Sequence, residues 1–363
     1  MNYIIAILVF GLLIFVHELG HFVVAKLSGI AVLQFTIGFG PAIWKKNIGG
    51  TVYALRALPL GGAVMMQGEG EDETEVLLTG KTAEAEAEAE EEAPQPKGIS
   101  FMEASLLKRF LVTIAGASMN LIAGVLILFI LVVPSNYRID PTLDSFMDGF
   151  AYSGENGFQV GDKLVKINDF VIFTSGDVNT ALGLGAGEPF DFVIERDGKR
   201  IRLENMPLEA KIYHAESDSY KYGFNFAVVE MDLWDKVTYS GKTAMTYLQS
   251  AFASIRMLIG GQASAGDMIG TVGIANEISN AAKQSMRVMW NFVAFISINL
   301  AFVNLLPIPA LDGGKMLFFL IELVRGKPVD PKYEGAVNLV GMALILVLFV
   351  FITYQDIVRL IGG

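Results

Sequence analysis

Four long apolar stretches constrain this chain more than any other feature in it. They cover residues 3–25, 110–133, 288–311 and 335–355, and only the first contains a formally charged side chain. Roughly 20 such residues wound as a helix cross the ~30 Å hydrocarbon core of a bilayer. Composition points to lipid as the solvent: 53% of the residues are hydrophobic and 18% charged, with a mean hydropathy of +0.48, beyond the balance of soluble domains. The expected fold class is a polytopic α-helical membrane protein with about four transmembrane helices.

Charge and cysteine usage exclude several function classes. The chain has no cysteine, which removes disulfide scaffolds, thiol catalysis and cysteine-ligated metal centres. Its net charge of −11 is misleading, because residues 69–92 hold eleven acids and one lysine. The remainder is close to neutral, so no basic surface for nucleic acid is expected.

The spans divide the chain. Residues 1–27 form the first transmembrane helix; with no Lys or Arg ahead of it and no cleavage site, it reads as retained rather than as a signal peptide. Residues 28–68 alternate β-branched and aromatic side chains with Gly-Gly and Gly-Pro punctuation, the pattern of a membrane-associated β-hairpin region. An acidic low-complexity linker follows over 69–98, where like charges repel and little can be buried. The second transmembrane helix lies in 99–134, a β-rich extracytoplasmic domain in 135–212, and an amphipathic or interfacial helical segment in 213–286. In that segment Met245, Leu248, Phe252, Ile255 and Ile259 recur at helical steps. Residues 287–324 hold the third transmembrane helix, and 325–363 a cytoplasmic loop with the fourth. Within the β-rich domain, Asp197-Gly198 marks the turn of a hairpin. Lys and Arg cluster at 26 and 108–109 and again at 325–332, which sets both of those loops in the cytoplasm and both termini outside it, in a multi-pass protein of the cell membrane.

The chemistry starts in the first span. Two of only three histidines stand four apart in His17-Glu18-Leu19-Gly20-His21. On a helix these two share a face and can grip one metal ion, with Glu18 beside them as a general base. A chance match is the bland alternative. Against it, an intramembrane carboxylate costs about 2.5–3.5 kcal/mol on insertion scales, so it is kept where it faces a cavity and functions. A catalytic zinc takes three protein ligands and leaves one position open. His214 falls in the extracytoplasmic loop, so an oxygen ligand is expected, and Asp312 at the end of the third span is the outstanding carboxylate. Glu322, ten residues on, reads as a cap of a helix end.

Asp312 closes the run Asn304-Leu-Leu-Pro307-Ile-Pro309-Ala-Leu-Asp312. Two prolines remove two amides and obstruct regular helix, and broken backbone at membrane depth survives only inside protein or beside water. An unwound strip there, with Asn304, is suited to holding a substrate in extended form. A simple kinked helix is the other reading. Hairpin edges near residues 36–62 offer a second pairing surface. In the second span, Gly116-Ala-Ser-Met-Asn120 combines a small residue for close helix approach with a polar group near the site.

With HELGH and NLLPIPALDGG together, the chain resembles the site-2 protease family of intramembrane zinc metalloproteases, in its bacterial RseP/RasP-type branch with a single PDZ domain. FTIGFGP (35–41), LPLGGAVMMQGE (58–69), FMEASLLKRF (101–110), GASMN (116–120) and MIGTVGIA (268–275) carry the resemblance further. It implies zinc bound by His17, His21 and Asp312, Glu18 as the base, and Asn304, Pro307, Pro309 and Asn120 in substrate handling. It also implies a PDZ-like domain over 135–212, with Gly157-Phe158-Gln-Val-Gly161-Asp162 in the place of that fold's glycine-rich turn. The partners implied are the lipid bilayer, single-pass transmembrane proteins already trimmed outside, such as anti-sigma factors, and signal-peptide remnants. The chain departs from the family pattern at Lys315, where His is common, at GASMN, which lacks the usual Pro, and in its acidic tract. A non-hydrolytic metal-binding membrane scaffold or transporter is the alternative from another class. It explains the ligands and leaves Glu18 without a purpose.

Overall fold

The computed structural model describes residues 2–69, 96–185, 187–211, 221–261 and 269–362. Nearly all of the acidic tract, and His214, lie outside the described residues. The chain divides into two compact units, one of residues 1–124 with 254–363 and one of 125–253.

The first unit opens with helix α1 (Asn2–Leu27). Strands β1 (Val32–Ile48) and β2 (Thr51–Met66) then form an antiparallel ribbon. Its turn is Gly49-Gly50, both at positive φ, which matches the twist a two-residue hairpin needs. The ribbon folds over on itself, so that residues 34–37 pair on one side with 52–55 and on the other with 62–65. The segment at 62–66 is thereby left as an outer strand, and it lies against α1: a β-carbon on Gly62 would fall 2.8 Å from Glu18 Cγ.

The N-terminal part of α2 (Leu106–Val132) follows, and the unit is completed after residue 254 by α5 (Thr271–Gln284), α6 (Met286–Asn304), α7 (Asp312–Arg325) and α8 (Pro331–Gly362). Among the described residues, four helices are long and apolar enough to cross a membrane, over Ile4–Leu27, Leu106–Val132, Met286–Asn304 and Lys332–Arg359. α8 exposes Leu344, Leu346, Val347 and Val350, as a helix apolar on all sides does when lipid is its solvent.

One expectation is refined here and one corrected. The third span is unwound at its two prolines, as the strip reading has it and the simple kink does not, so 287–324 is not one helix. α6 ends at Asn304, residues 305–311 are irregular, and α7 starts afresh at Asp312, because Pro307 and Pro309 cannot donate to a helical ladder. Glu322 does not cap a helix end. Its carboxylate takes both terminal nitrogens of Arg109, at 3.1 and 2.5 Å, and α7 is closed instead by Gly326 in the left-handed conformation. The Arg109 guanidinium also lies over Phe319, 5.4 Å from the ring centroid. A bidentate pair of this kind is the form in which a buried Arg and carboxylate are best satisfied.

The second unit is built on a six-stranded antiparallel sheet, with α3 (Ser175–Leu184), most of α4 (Leu233–Ile259) and the end of α2 around it among the described residues. β3 (Tyr137–Phe146), β4 (Lys163–Ile167), β6 (Phe190–Arg196), β7 (Lys199–Met206) and β8 (Phe224–Glu230) lie in the order β7-β6-β4-β3-β8, with the short β5 (Phe170–Val171) on β4. Asp197-Gly198 forms the β6–β7 turn, both residues at positive φ. Phe158, Leu164, Ile167, Phe190, Phe192 and Ile194 make up the centre of its core. Here too a boundary moves. β8 pairs along β3 from Tyr137↔Glu230 to Phe146↔Phe224, so the sheet reaches past residue 212 into what reads, on sequence, as the start of a helical segment. The helix α4 (Leu233–Ile259) begins only after it. α4 leaves Trp234, Met245, Phe252 and Ile259 exposed while burying Ser240, Ala244 and Thr246. Thr246 donates to Asp177 in α3 (Ser175–Leu184), whose carboxyl burial pushes up against the pull of four hydrogen bonds.

The turn Gly157–Asp162 is stapled to the end of β6. Asp162 is fully buried and receives Arg196 Nε at 2.6 Å, Arg196 Nη2 at 2.7 Å and the amide of Gln159 at 2.8 Å. Removing one partner of such a pair strands the other, a loss of about 3–5 kcal/mol when both are buried. Arg196 keeps 17% of its side chain exposed, so the lower end applies. Asp162→Ala is expected to cost about 3 kcal/mol, seen as faster proteolysis of this unit in the full-length protein, while Arg202→Ala, which removes only exposed pairs with Asp191 and Glu204, leaves it nearly unchanged.

Candidate metal centre

Three atoms define the site. His17 Nε2 and His21 Nε2 lie 3.1 Å apart, and Asp312 Oδ2 stands 3.3 Å from the first and 3.4 Å from the second. Four-residue spacing brings the imidazoles to one face of α1. The break at 305–311 brings the third group in, since a chain that stayed helical would carry Asp312 onward along the α6 axis. Among the described residues, these three are the group of metal-ligating side chains gathered closely enough to share an ion.

The arrangement fits zinc on two counts. Ligands at about 2.0–2.1 Å on a tetrahedral ion stand about 3.3–3.4 Å from one another, close to the separations observed. Asp312 Oδ2 is also buried with no aligned hydrogen-bond donor, which is costly for a carboxylate oxygen unless a cation faces it.

The ring nitrogens behind the triad fix its orientation. His21 Nδ1 meets the carbonyl of Val112 at 2.8 Å, so it carries the proton and turns Nε2 toward the centre. His17 Nδ1 is approached at 3.4 Å by the amides of both Asn120 and Asn304. Asn120 Oδ1 is buried with no partner. With the Asn120 carboxamide turned end for end, that oxygen accepts the proton of His17 Nδ1, leaving Nε2 free to ligate. Ser297 Oγ donates to the Asn120 carbonyl at 2.8 Å and joins α6 to α2 at this level.

Gly116 supplies the space. A β-carbon there would overlap His21 Nε2 and fall 2.8 Å from His17 Nε2. On sequence, Gly116 reads only as a point of helix approach; that it faces the triad needs the crossing of α1 and α2. Gly20 has the helix-approach role on the facing side, where a β-carbon would meet Met119 Cγ at 2.9 Å and the Ala115 backbone. Asn120 and Asn304 thus sit directly behind His17. Pro307 and Pro309 lie in the irregular strip before Asp312, and Pro309 packs on Gly341 of α8. Val112 and Gly341 carry no sequence signal, because each acts through its backbone or its lack of a side chain, and Gly62 reads on sequence only as hairpin punctuation.

The model of peptidase family M50 matches residues 5–348. Among similar proteins, a candidate zinc metalloprotease of Clostridium acetobutylicum is 34% identical over 358 residues, covering 98% of this chain and 97% of that protein. Zinc metalloprotease RasP of Geobacillus kaustophilus is 30% identical, with 97% and 96% covered. The regulator of sigma-W protease RasP of Bacillus subtilis is also 30% identical, with 99% of each chain covered.

Proposed function

The chain belongs to peptidase family M50, and from that membership we propose how its residues divide the work of an intramembrane zinc metalloprotease. His17, His21 and Asp312 hold the zinc. The observation that carries this reading is the mutual spacing of their three ligand atoms, 3.1 to 3.4 Å. Zinc, when bound, polarises the scissile carbonyl and lowers the pKa of water to about 7. Glu18 takes the proton of the attacking water and delivers it to the leaving amine. Asn120 and Asn304 orient His17 and, at the same face, meet the substrate.

The substrate is a membrane helix, whose peptide bonds are hidden in its own hydrogen bonds until it unwinds. Two pieces of backbone supply replacements: the strip 305–311 with Pro307 and Pro309, and the outer strand of the ribbon at 62–66, which runs beside Glu18. Single-pass proteins already trimmed outside the membrane, and signal-peptide remnants, are the substrates of choice. The Bacillus subtilis relative's name as a regulator of sigma-W protease supports anti-sigma-type substrates. The antiparallel sheet, α3 and the stapled turn at 157–162 support a PDZ-like domain over roughly 135–231, outside the membrane by the Lys and Arg bias. The exposed apolar face of α4 supports an interfacial position for that helix. Both termini are then extracytoplasmic and the protein spans the cell membrane four times.

Metal removal tests the assignment. With the purified protein reconstituted beside a single-pass substrate, a zinc chelator is expected to abolish cleavage, and stoichiometric zinc to restore it. Cleavage that survives complete removal of zinc defeats the assignment. A binding scaffold or transporter gives no cleavage in either state.

A further inference from the structure

The irregular strip ahead of Asp312 ends in a tight turn. Leu311 donates its amide to the Ile308 carbonyl at 3.2 Å, with Pro309 and Ala310 between them. Ala310 has a φ of +71°. Proline at the second position and positive φ at the third is the type II pattern, which ordinarily calls for Gly or Asn at the third. Alanine there is strained by its β-carbon, so something outside the turn must hold it.

That support comes from α8. The Ala310 amide donates to Asn338 Oδ1 at 3.2 Å. One turn further along the same helix face is Gly341, buried against Pro309, where a β-carbon would fall 2.7 Å from the Pro309 carbonyl oxygen. Asn338 is a polar side chain one turn along α8 from Glu334, ahead of the apolar run 339–352, and the Ala310 amide is a donor in non-helical backbone beside it. The bond satisfies both groups at once, an amide donor outside any helical ladder and a carboxamide oxygen on the side of α8.

We propose that Asn338 is a positioning residue for the zinc centre: its carboxamide oxygen selects the type II turn at 308–311 and so sets where α7 starts and where Asp312 points. In the alternative type I turn the peptide between Pro309 and Ala310 is rotated by about half a turn. The Ala310 amide then faces away from α8 and Asn338 loses its donor. The change falls two residues before Asp312, and the first bonds of α7 hang from it, through Gly314 donating to Leu311 at 3.0 Å. Asn338 touches neither zinc nor substrate; it acts through the turn. The proposal rests on Asp312 being a ligand.

The test compares zinc affinity, by chelator competition on the full-length protein in detergent, across four proteins. Asn338→Ala is expected to weaken zinc by about 10–100-fold, the range for losing an outer partner of a ligand. Asn338→Ala with Ala310→Gly is expected to recover most of that loss, because glycine adopts positive φ without support. Asp312→Ala is the reference and is expected to abolish tight binding. Thermal unfolding of the metal-free forms supplies a readout independent of zinc: the midpoint falls for Asn338→Ala and returns in the double variant. Should Asn338→Ala not be recoverable, Ala310→Val, a β-branched residue forced to positive φ, is expected to give the same loss of affinity. Wild-type affinity in Asn338→Ala, or in Ala310→Val where that variant replaces it, while Asp312→Ala loses zinc overturns the positioning role alone. A loss that glycine at 310 does not repair overturns it too, since the defect is then one of helix packing. Tight zinc binding by Asp312→Ala overturns the ligand assignment on which the proposal stands.

Discussion

Gly116→Ala is expected to strip the protein of its zinc while leaving every proposed ligand in place. The added β-carbon enters the space bounded by the two imidazoles, overlapping His21 Nε2 and lying 2.8 Å from His17 Nε2. Neither ring can swing clear without cost. His21 is held from behind by the Val112 carbonyl at 2.8 Å, and His17 by the amides of Asn120 and Asn304. The helices cannot simply part either, because Gly20 sets α1 against the Ala115 backbone of α2, one residue from Gly116. Loss of an outer-shell partner weakens a metal site by about 10–100-fold. An atom placed among the ligands themselves should do worse, so more than about 100-fold is expected, read as metal content after purification and by chelator competition. Gly124→Ala is the matched control on the same helix. Its β-carbon would overlap the Ile298 side chain, 2.5 Å from Cγ1, and lie 3.2 Å from the Ala294 carbonyl, with no ligand in reach, so it should lower stability and spare zinc. Full zinc occupancy in Gly116→Ala would mean that the ligands meet somewhere other than in front of this glycine.

The same residue shows where sequence reading stops. HELGH is legible because its spacing is local: the helix that puts His17 and His21 on one face is the helix that contains them. Asp312 was reachable by elimination, since the apolar stretches offer few carboxylates. Gly116 and Asn338 do their work across helix crossings, and no spacing along the chain reports a crossing. Where α6 ends is only half legible, for a related reason. Hydropathy is continuous from 288 to 311, so an apolar window runs through a break that only the two prolines mark. Arg109 and Glu322 are 213 positions apart, and a lone Glu near a helix end reads as a cap until its partner is seen. β8 is not legible on sequence because it joins the sheet at β3, more than 70 residues earlier in the chain, with a helix and four strands between. Four apolar spans, the ribbon and the β-rich insertion were all legible from periodicity and turn residues, whose information is short-range.

Glu18→Gln is expected to separate binding from catalysis. Glutamine keeps the length and volume of the side chain and removes its capacity to accept a proton as a carboxylate. Glu18 is not among the three groups whose ligand atoms converge, so zinc content should match the wild type. Its place is on the adjoining face of α1, against the outer strand of the ribbon at Gly62, beside the backbone that an unwound substrate would pair with. A general base is worth about 10²–10⁴-fold, so turnover of a reconstituted single-pass substrate should fall by roughly 10³-fold with little change in KM. The variant also becomes a trap, since it still holds zinc and substrate and cannot complete the proton transfer. Crosslinking it in native membranes and identifying the captured chains by mass spectrometry would name the substrates directly. Loss of zinc along with turnover would make Glu18 part of the ligand set. Undiminished cleavage would require another base within reach of the scissile bond, and the intramembrane stretches 110–133, 288–311 and 335–355 contain no other carboxylate.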